Sequence, residues 1–187
     1  AMGIAGAGNS GTVMAAIFAP GLAYLFGWQN VFGLALIPLA ITLLLFIILA
    51  KNSPQRPAPK SLKDYSKALK DVDSWWFMFF YSVTFGGFIG LASALPGYFS
   101  DQYGLSPVTA GYYTAACVMA GSLMRPLGGA LADRIGGIRS LLFMYGIAAV
   151  CIAIVGFNLS SSYAALTFFV TAMLGLGAGN GAVFQLV

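Results

Sequence analysis

The sequence has no histidine, only two cysteines and only five acidic residues among 187 positions. Without histidine it lacks the commonest metal ligand and the side chain most often used as a general base. Cys117 and Cys151 both fall in apolar runs and read as small buried side chains, with no disulfide framework and no spacing that suggests a metal site. No paired catalytic carboxylates and no nucleophile–base constellation stand out, so enzymatic chemistry has no foothold, and neither a cofactor nor a metal is expected. Charge is scarce altogether: 7% of the residues are charged, where a soluble domain carries about a quarter, and 59% are hydrophobic. Such a chain cannot clothe a surface facing water. It reads as an all-α integral membrane protein whose surroundings are the lipid bilayer. The net charge of +4 does not point to nucleic acid, because the basic residues sit beside apolar spans, as they do in cytoplasmic loops.

Six apolar spans of crossing length can be drawn, at about 1–26, 29–50, 74–100, 107–132, 138–159 and 163–187, each near or above the ~20 residues a transmembrane helix needs. Their ends are punctuated by Gly27 and Trp28, by Pro54, Pro57 and Pro59, by Ser106 and Pro107, and by the stretch from Asn158 to Ser162. Six of the nine basic residues lie in 51–73 and two in 133–139, while the turns near 27, 101–106 and 158–162 have none. Both basic stretches are therefore expected to be cytoplasmic. The stretch 51–73 is the candidate domain boundary: Pro-rich at first, then weakly amphipathic through Ser61, Leu62, Tyr65, Leu69 and Val72. It reads as a solvated linker with some helix in it, a surface helix on the membrane being the alternative. Ala1 and Val187 both lie inside apolar patterns, so the expectation is a piece of a longer chain.

The ninth basic residue, Arg125, is alone inside an apolar span, and every acid (Asp64, Asp71, Asp73, Asp101, Asp133) lies in a loop or at a helix end. Burying a guanidinium near mid-bilayer costs roughly 2.5–3.5 kcal/mol on insertion scales, so an arginine there usually faces a cavity and serves a function. An anion is the ligand this charge would take. The competing explanation is snorkelling, since Asp133 lies only eight residues on, about 12 Å along a helix at roughly 1.5 Å per residue. Glycine supplies the next signal. Gly3, Gly6, Gly8 and Gly11 surround Asn9, and Gly175, Gly177, Gly179 and Gly181 surround Asn180. Close helix packing explains the glycines by themselves. A carboxamide set among them at bilayer depth suggests contact with a small polar solute.

These runs carry a resemblance. The string GGALADRIGGIRS at 128–140 resembles the cytoplasmic signature of major facilitator superfamily transporters. The AGAGNSG run followed by Pro20, the MRPLGGALADRIGG run and the terminal GLGAGNGAVFQLV are similar to the nitrate/nitrite porter family within it. The resemblance implies a major facilitator-type helical bundle with six of an expected twelve transmembrane helices present, the family's fifth to tenth. Residues 1–50 would then be the last two helices of the N-terminal bundle, 51–73 the cytoplasmic inter-bundle linker and 74–187 the first four helices of the C-terminal bundle. A bacterial inner membrane is the implied location, nitrate and nitrite the implied substrates, and the missing helices of the parent chain the implied partners.

Carried over residue by residue, the resemblance makes Arg125, in the pair Arg125–Pro126, the anion ligand. It places Tyr81 and Phe85 of FYSVTFGGFIG on the pocket wall, and Asn9, Asn180, Gly175, Gly177 and Gly179 in the two glycine-rich lining segments. The i, i+4 spacing of Tyr81 and Phe85 does put them on one helical face, though bundle core would use aromatics in the same way. The family pairs two arginines across a pseudo-twofold axis, so this chain would hold half of a site. Asp133, Arg134 and Arg139 would form a conformational gate at the cytoplasmic mouth, or simply set topology. With no carboxylate or histidine in the six spans, nitrate/nitrite exchange, or protons handled elsewhere, fits better than a proton relay within them. A facilitator for another small anion and a membrane fragment without transport activity are the alternatives.

Overall fold

The computed structural model describes residues 8, 11–51, 66–67, 69–184 and 186. Among them the elements are α1 (Gly11–Phe26), α2 (Trp28–Leu49), α3 (Val72–Tyr81), a π turn (Ser82–Gly86), α4 (Gly87–Tyr103), α5 (Pro107–Ile135), α6 (Gly137–Val155) and α7 (Ser162–Val183). The π turn joins α3 to α4 in one 32-residue rod, Val72–Tyr103. That rod, α2, α5, α6 and α7 are each long and apolar enough to cross a membrane. The first expected span is represented by the 16 residues of α1, since 1–7, 9 and 10 lie outside the described residues. Asn9 is therefore not placed, nor are Gly3 and Gly6. Of the 51–73 stretch, 52–65 and 68 also lie outside the described residues.

Helix boundaries follow local chemistry. The Ser106 hydroxyl accepts the Thr109 amide at 3.2 Å and Pro107 occupies the first helical position, where its missing amide costs nothing. At the other end of α4, Gly104 adopts a left-handed conformation (φ 64°) and its amide returns to the Ser100 carbonyl. One residue each, Gly27 (φ 81°) and Gly136 (φ 91°), turns the chain from α1 to α2 and from α5 to α6. A side chain at either position would be strained, so reversals this short need glycine.

The central pair is α5 with α7. Helix α6 packs on α7, α4 and α1 pack on α5, and α2 packs on α1. Between them lies a core that includes Phe88, Leu95, Phe99, Val118 and Met173. The closeness of α5 and α7 is a matter of glycine. A Cβ on Gly177 would strike the Gly121 carbonyl, one on Gly128 the Ala178 backbone, and one on Gly181 the Arg125 carbonyl. Here the two backbones touch directly. The glycines of α7 divide by face: Gly177 and Gly181 meet α5, whereas a Cβ on Gly175 would stand 3.0 Å from the Met144 carbonyl of α6 and one on Gly179 3.1 Å from Thr84 Cγ2. Four glycines at every second position thus bring one helix close to α5, α6 and the π turn at once.

Candidate functional site

Arg125 sits in the second half of α5, followed by Pro126, whose ring removes one amide from the helical ladder. The arginine is 2% exposed, so its head is turned into the protein and not toward a helix end. Its guanidinium carbon lies 4.7 Å from the centre of the Phe88 ring and 5.6 Å from that of Phe85. A cation over aromatic faces in a dry setting gains about 0.5–2 kcal/mol. Tyr81 stacks in turn on Phe85, with ring centres 5.3 Å apart and planes at 20°. A line of aromatic rings and one guanidinium therefore runs from α3 through the π turn to α5.

The chemistry of this arrangement is specific. A guanidinium is permanently charged, planar, and able to donate two parallel hydrogen bonds, whereas an ammonium acts as a point charge. Set over the Phe85 and Phe88 rings, the group suits a small planar anion, with flat aromatic surface beside it. In the low dielectric around it, its charge repels cations.

Asn180 is also 2% exposed, and its amide donates to the Thr84 hydroxyl at 3.4 Å. Thr84 belongs to the π turn and is fully buried. Gly175, Gly177 and Gly179 lie buried along the contacts of α7 with α5, α6 and the π turn. Asp133, Arg134 and Arg139 are exposed around the α5–α6 turn. The structure thus gathers Tyr81, Phe85 and Arg125 in one cluster, sets Asn180 behind the π turn, and leaves the three charges at one end of the bundle. Sequence reasoning missed Phe88 and Thr84. Phe88 stands seven residues from Tyr81 and three from Phe85, a helical spacing that would have singled it out.

The sequence profile of the Major Facilitator Superfamily matches residues 1–187. The chain belongs to that superfamily. It is 34% identical over 187 residues to the nitrite extrusion protein of Bacillus subtilis (strain 168), covering 99% of this chain and 47% of that protein. It is 32% identical over 189 residues to the probable nitrate transporter NarT of Staphylococcus haemolyticus (strain JCSC1435), covering 100% and 48%. The probable nitrate/nitrite transporter NarK2 of Mycobacterium tuberculosis (strain ATCC 25618 / H37Rv) is 33% identical over 188 residues, covering 99% and 47%. The chain spans about half the length of these relatives. No solved structure matches it. With membership of the superfamily and five crossing-length helices among the described residues, this is an integral membrane, all-helical member of a transporter family.

Proposed function

We propose that the chain forms the middle of a twelve-helix transporter that moves nitrate and nitrite across a bacterial inner membrane. In this reading 1–50 closes the N-terminal bundle, 51–73 is the cytoplasmic linker and 74–187 opens the C-terminal bundle. The observation that carries it is the buried Arg125 guanidinium over Phe85 and Phe88, with Tyr81 stacked beyond. The relatives, whose names are those of nitrate and nitrite transporters and which match nearly the whole chain, support nitrate and nitrite as the anion.

Nitrate presents three oxygens in one plane. Arg125 would bind two of them through its fork, and the aromatic rings would line the flat faces of the ion. The remaining charge needed to hold an anion would come from helices of the other bundle. Transport follows by rocking of the two bundles about this site, with Asp133, Arg134 and Arg139 making charge contacts that favour one conformation at the cytoplasmic mouth. Exchange of nitrate for nitrite needs no titratable carboxylate in the path, whereas proton-coupled uptake would draw its titratable group from the other helices or from the substrate itself.

Labelled nitrate uptake into nitrite-loaded proteoliposomes of the full-length protein tests the reading. Arg125→Ala is expected to abolish exchange while inserting normally, and Arg125→Lys to lose most of it, since charge without the planar fork is not enough. Exchange at the wild-type rate by Arg125→Ala would show that the arginine is no ligand.

A further inference from the structure

We infer that Tyr145 of α6 and Thr84 of the π turn are positioning residues for the anion site, locking the turn that aims Tyr81 and Phe85. The inference rests on the nitrate/nitrite reading above and extends it to residues that do not touch the ion. A π turn is rare in itself and appears mostly as a single insertion at functional sites, so it needs support from its surroundings. Tyr81 stands immediately before this one and Phe85 lies within it. Their i, i+4 spacing lets the rings stack in either form of helix, but the extra residue of the turn sets the angle from which Phe85 faces Arg125.

Two hydroxyls converge on a single carbonyl just upstream. The Tyr145 hydroxyl donates to the Phe80 carbonyl at 3.0 Å across 65 residues of sequence. The Thr84 hydroxyl reaches the same oxygen at 3.0 Å and the Tyr81 carbonyl at 3.2 Å. A carbonyl has two lone pairs, so both bonds to Phe80 are compatible. Because the threonine proton is committed to the backbone, its oxygen is free to accept from Asn180 on α7. The Tyr145 ring also packs on Phe80, with centres 6.2 Å apart. The π turn is thus gripped from α6 by Tyr145 and from α7 by Asn180, through Thr84. In this role Asn180 acts on the turn and not on the anion.

Loss of either grip should let the turn relax toward regular helix, rotating Phe85 away from Arg125. A site moved in this way binds its ion less well but is still present in every inserted molecule. A purely structural role would instead lower the yield and leave the affinity of the surviving molecules alone. The test is nitrate/nitrite exchange in proteoliposomes of the full-length protein, with turnover expressed per inserted molecule. Tyr145→Phe and Thr84→Val keep shape and remove only the hydroxyl. Each is expected to raise the nitrate KM about five- to tenfold, the equivalent of one lost hydrogen bond, with turnover within about twofold of wild type. Thr84→Ser keeps the hydroxyl and should restore the wild-type KM.

An unchanged KM with reduced yield overturns the inference, and so does a Thr84→Ser variant as impaired as Thr84→Val. Should Tyr145→Phe fail to insert, the Thr84 pair decides alone. Arg125→Ala, run alongside, separates the two claims. If it is inactive while Tyr145→Phe and Thr84→Val keep the wild-type KM, the anion site stands and the positioning role falls. If Arg125→Ala exchanges normally, the anion site falls and takes the positioning role with it.

Discussion

Helices α2 and α7 have the same length, 22 residues, and opposite fates. Helix α2 is the more apolar, a run of leucine, isoleucine and phenylalanine, and none of its residues is buried. Helix α7 has four glycines, an asparagine and two threonines, and every residue from Gly175 to Val183 is buried. In water the ranking would be reversed. In a bilayer, lipid tails are as apolar as leucine, so hydrophobicity alone drives no helix against another, and association falls to small residues, close backbones and polar contacts. Among the described residues the greasy helix is the one left exposed, and the helix with gaps in its hydrophobicity is the one packed against protein.

The sharpest way to break this comparison is to place the same side chain on a glycine of each helix. Leucine at Gly177 must force α7 off the Gly121 carbonyl, and with it the segment of α5 that holds Arg125. Overpacking typically costs about 1–3 kcal/mol, and a clash with backbone lies at the top of that range or above. Gly177→Leu is therefore expected to abolish monodisperse protein in detergent size-exclusion chromatography. A Cβ on Gly33 of α2 would meet nothing within 4 Å, so Gly33→Leu should elute as wild type does. Equal damage from both would mean that other parts of the full-length protein cover α2 as tightly as α5 covers α7.

A smaller effect is expected from ordinary core. Leu176 is 5% exposed and its methyl groups reach to 3.5 Å from where a Cβ on Gly87 would stand, between α7 and α4. Leu176→Ala should lower stability by about 2–5 kcal/mol, read as a fall in thermal unfolding temperature. Phe88→Leu keeps most of the volume and removes the ring under the guanidinium. If the site takes nitrate as proposed, the change should weaken its binding by about three- to tenfold, the worth of the cation–π contact, with a much smaller loss of unfolding temperature than Leu176→Ala. The ligand-induced rise in unfolding temperature measures the binding loss, because nitrate stabilises whatever binds it.

Much of this was legible from residue types. Ser106–Pro107 and Gly27 mark helix ends because capping and positive φ are local requirements. Arg125 stood out because a guanidinium in hydrocarbon has to be accounted for, and Tyr81 and Phe85 because of the family resemblance and their spacing. What stayed hidden depends on the packing of distant segments. No local pattern says that a π turn begins at Ser82, because the hydroxyl that grips it comes from Tyr145 on another helix. The glycine run of α7 could be seen, but which glycines meet α5 and which meet α6 or the π turn is decided by the rotation of a helix with apolar residues all round. Asn180 showed as a polar residue at depth, and its partner, Thr84, looked like any other threonine in an apolar span.

The smallest expected effect tests the same contrast from the lipid side. Leu44 lies in the second half of α2 and is 59% exposed. Leu44→Ala exchanges one apolar surface for a smaller one, with lipid filling the space, so no cavity forms and the cost of a cavity does not arise. The unfolding temperature in lipid nanodiscs should change by no more than the equivalent of about 0.5 kcal/mol, the range of a surface substitution. A drop as large as that of Leu176→Ala would mean that Leu44 fits a protein groove in the full-length molecule. The exposure of α2 would then belong to this segment alone, and hydrophobicity without a close-packed glycine face would be enough to hold a helix in the bundle.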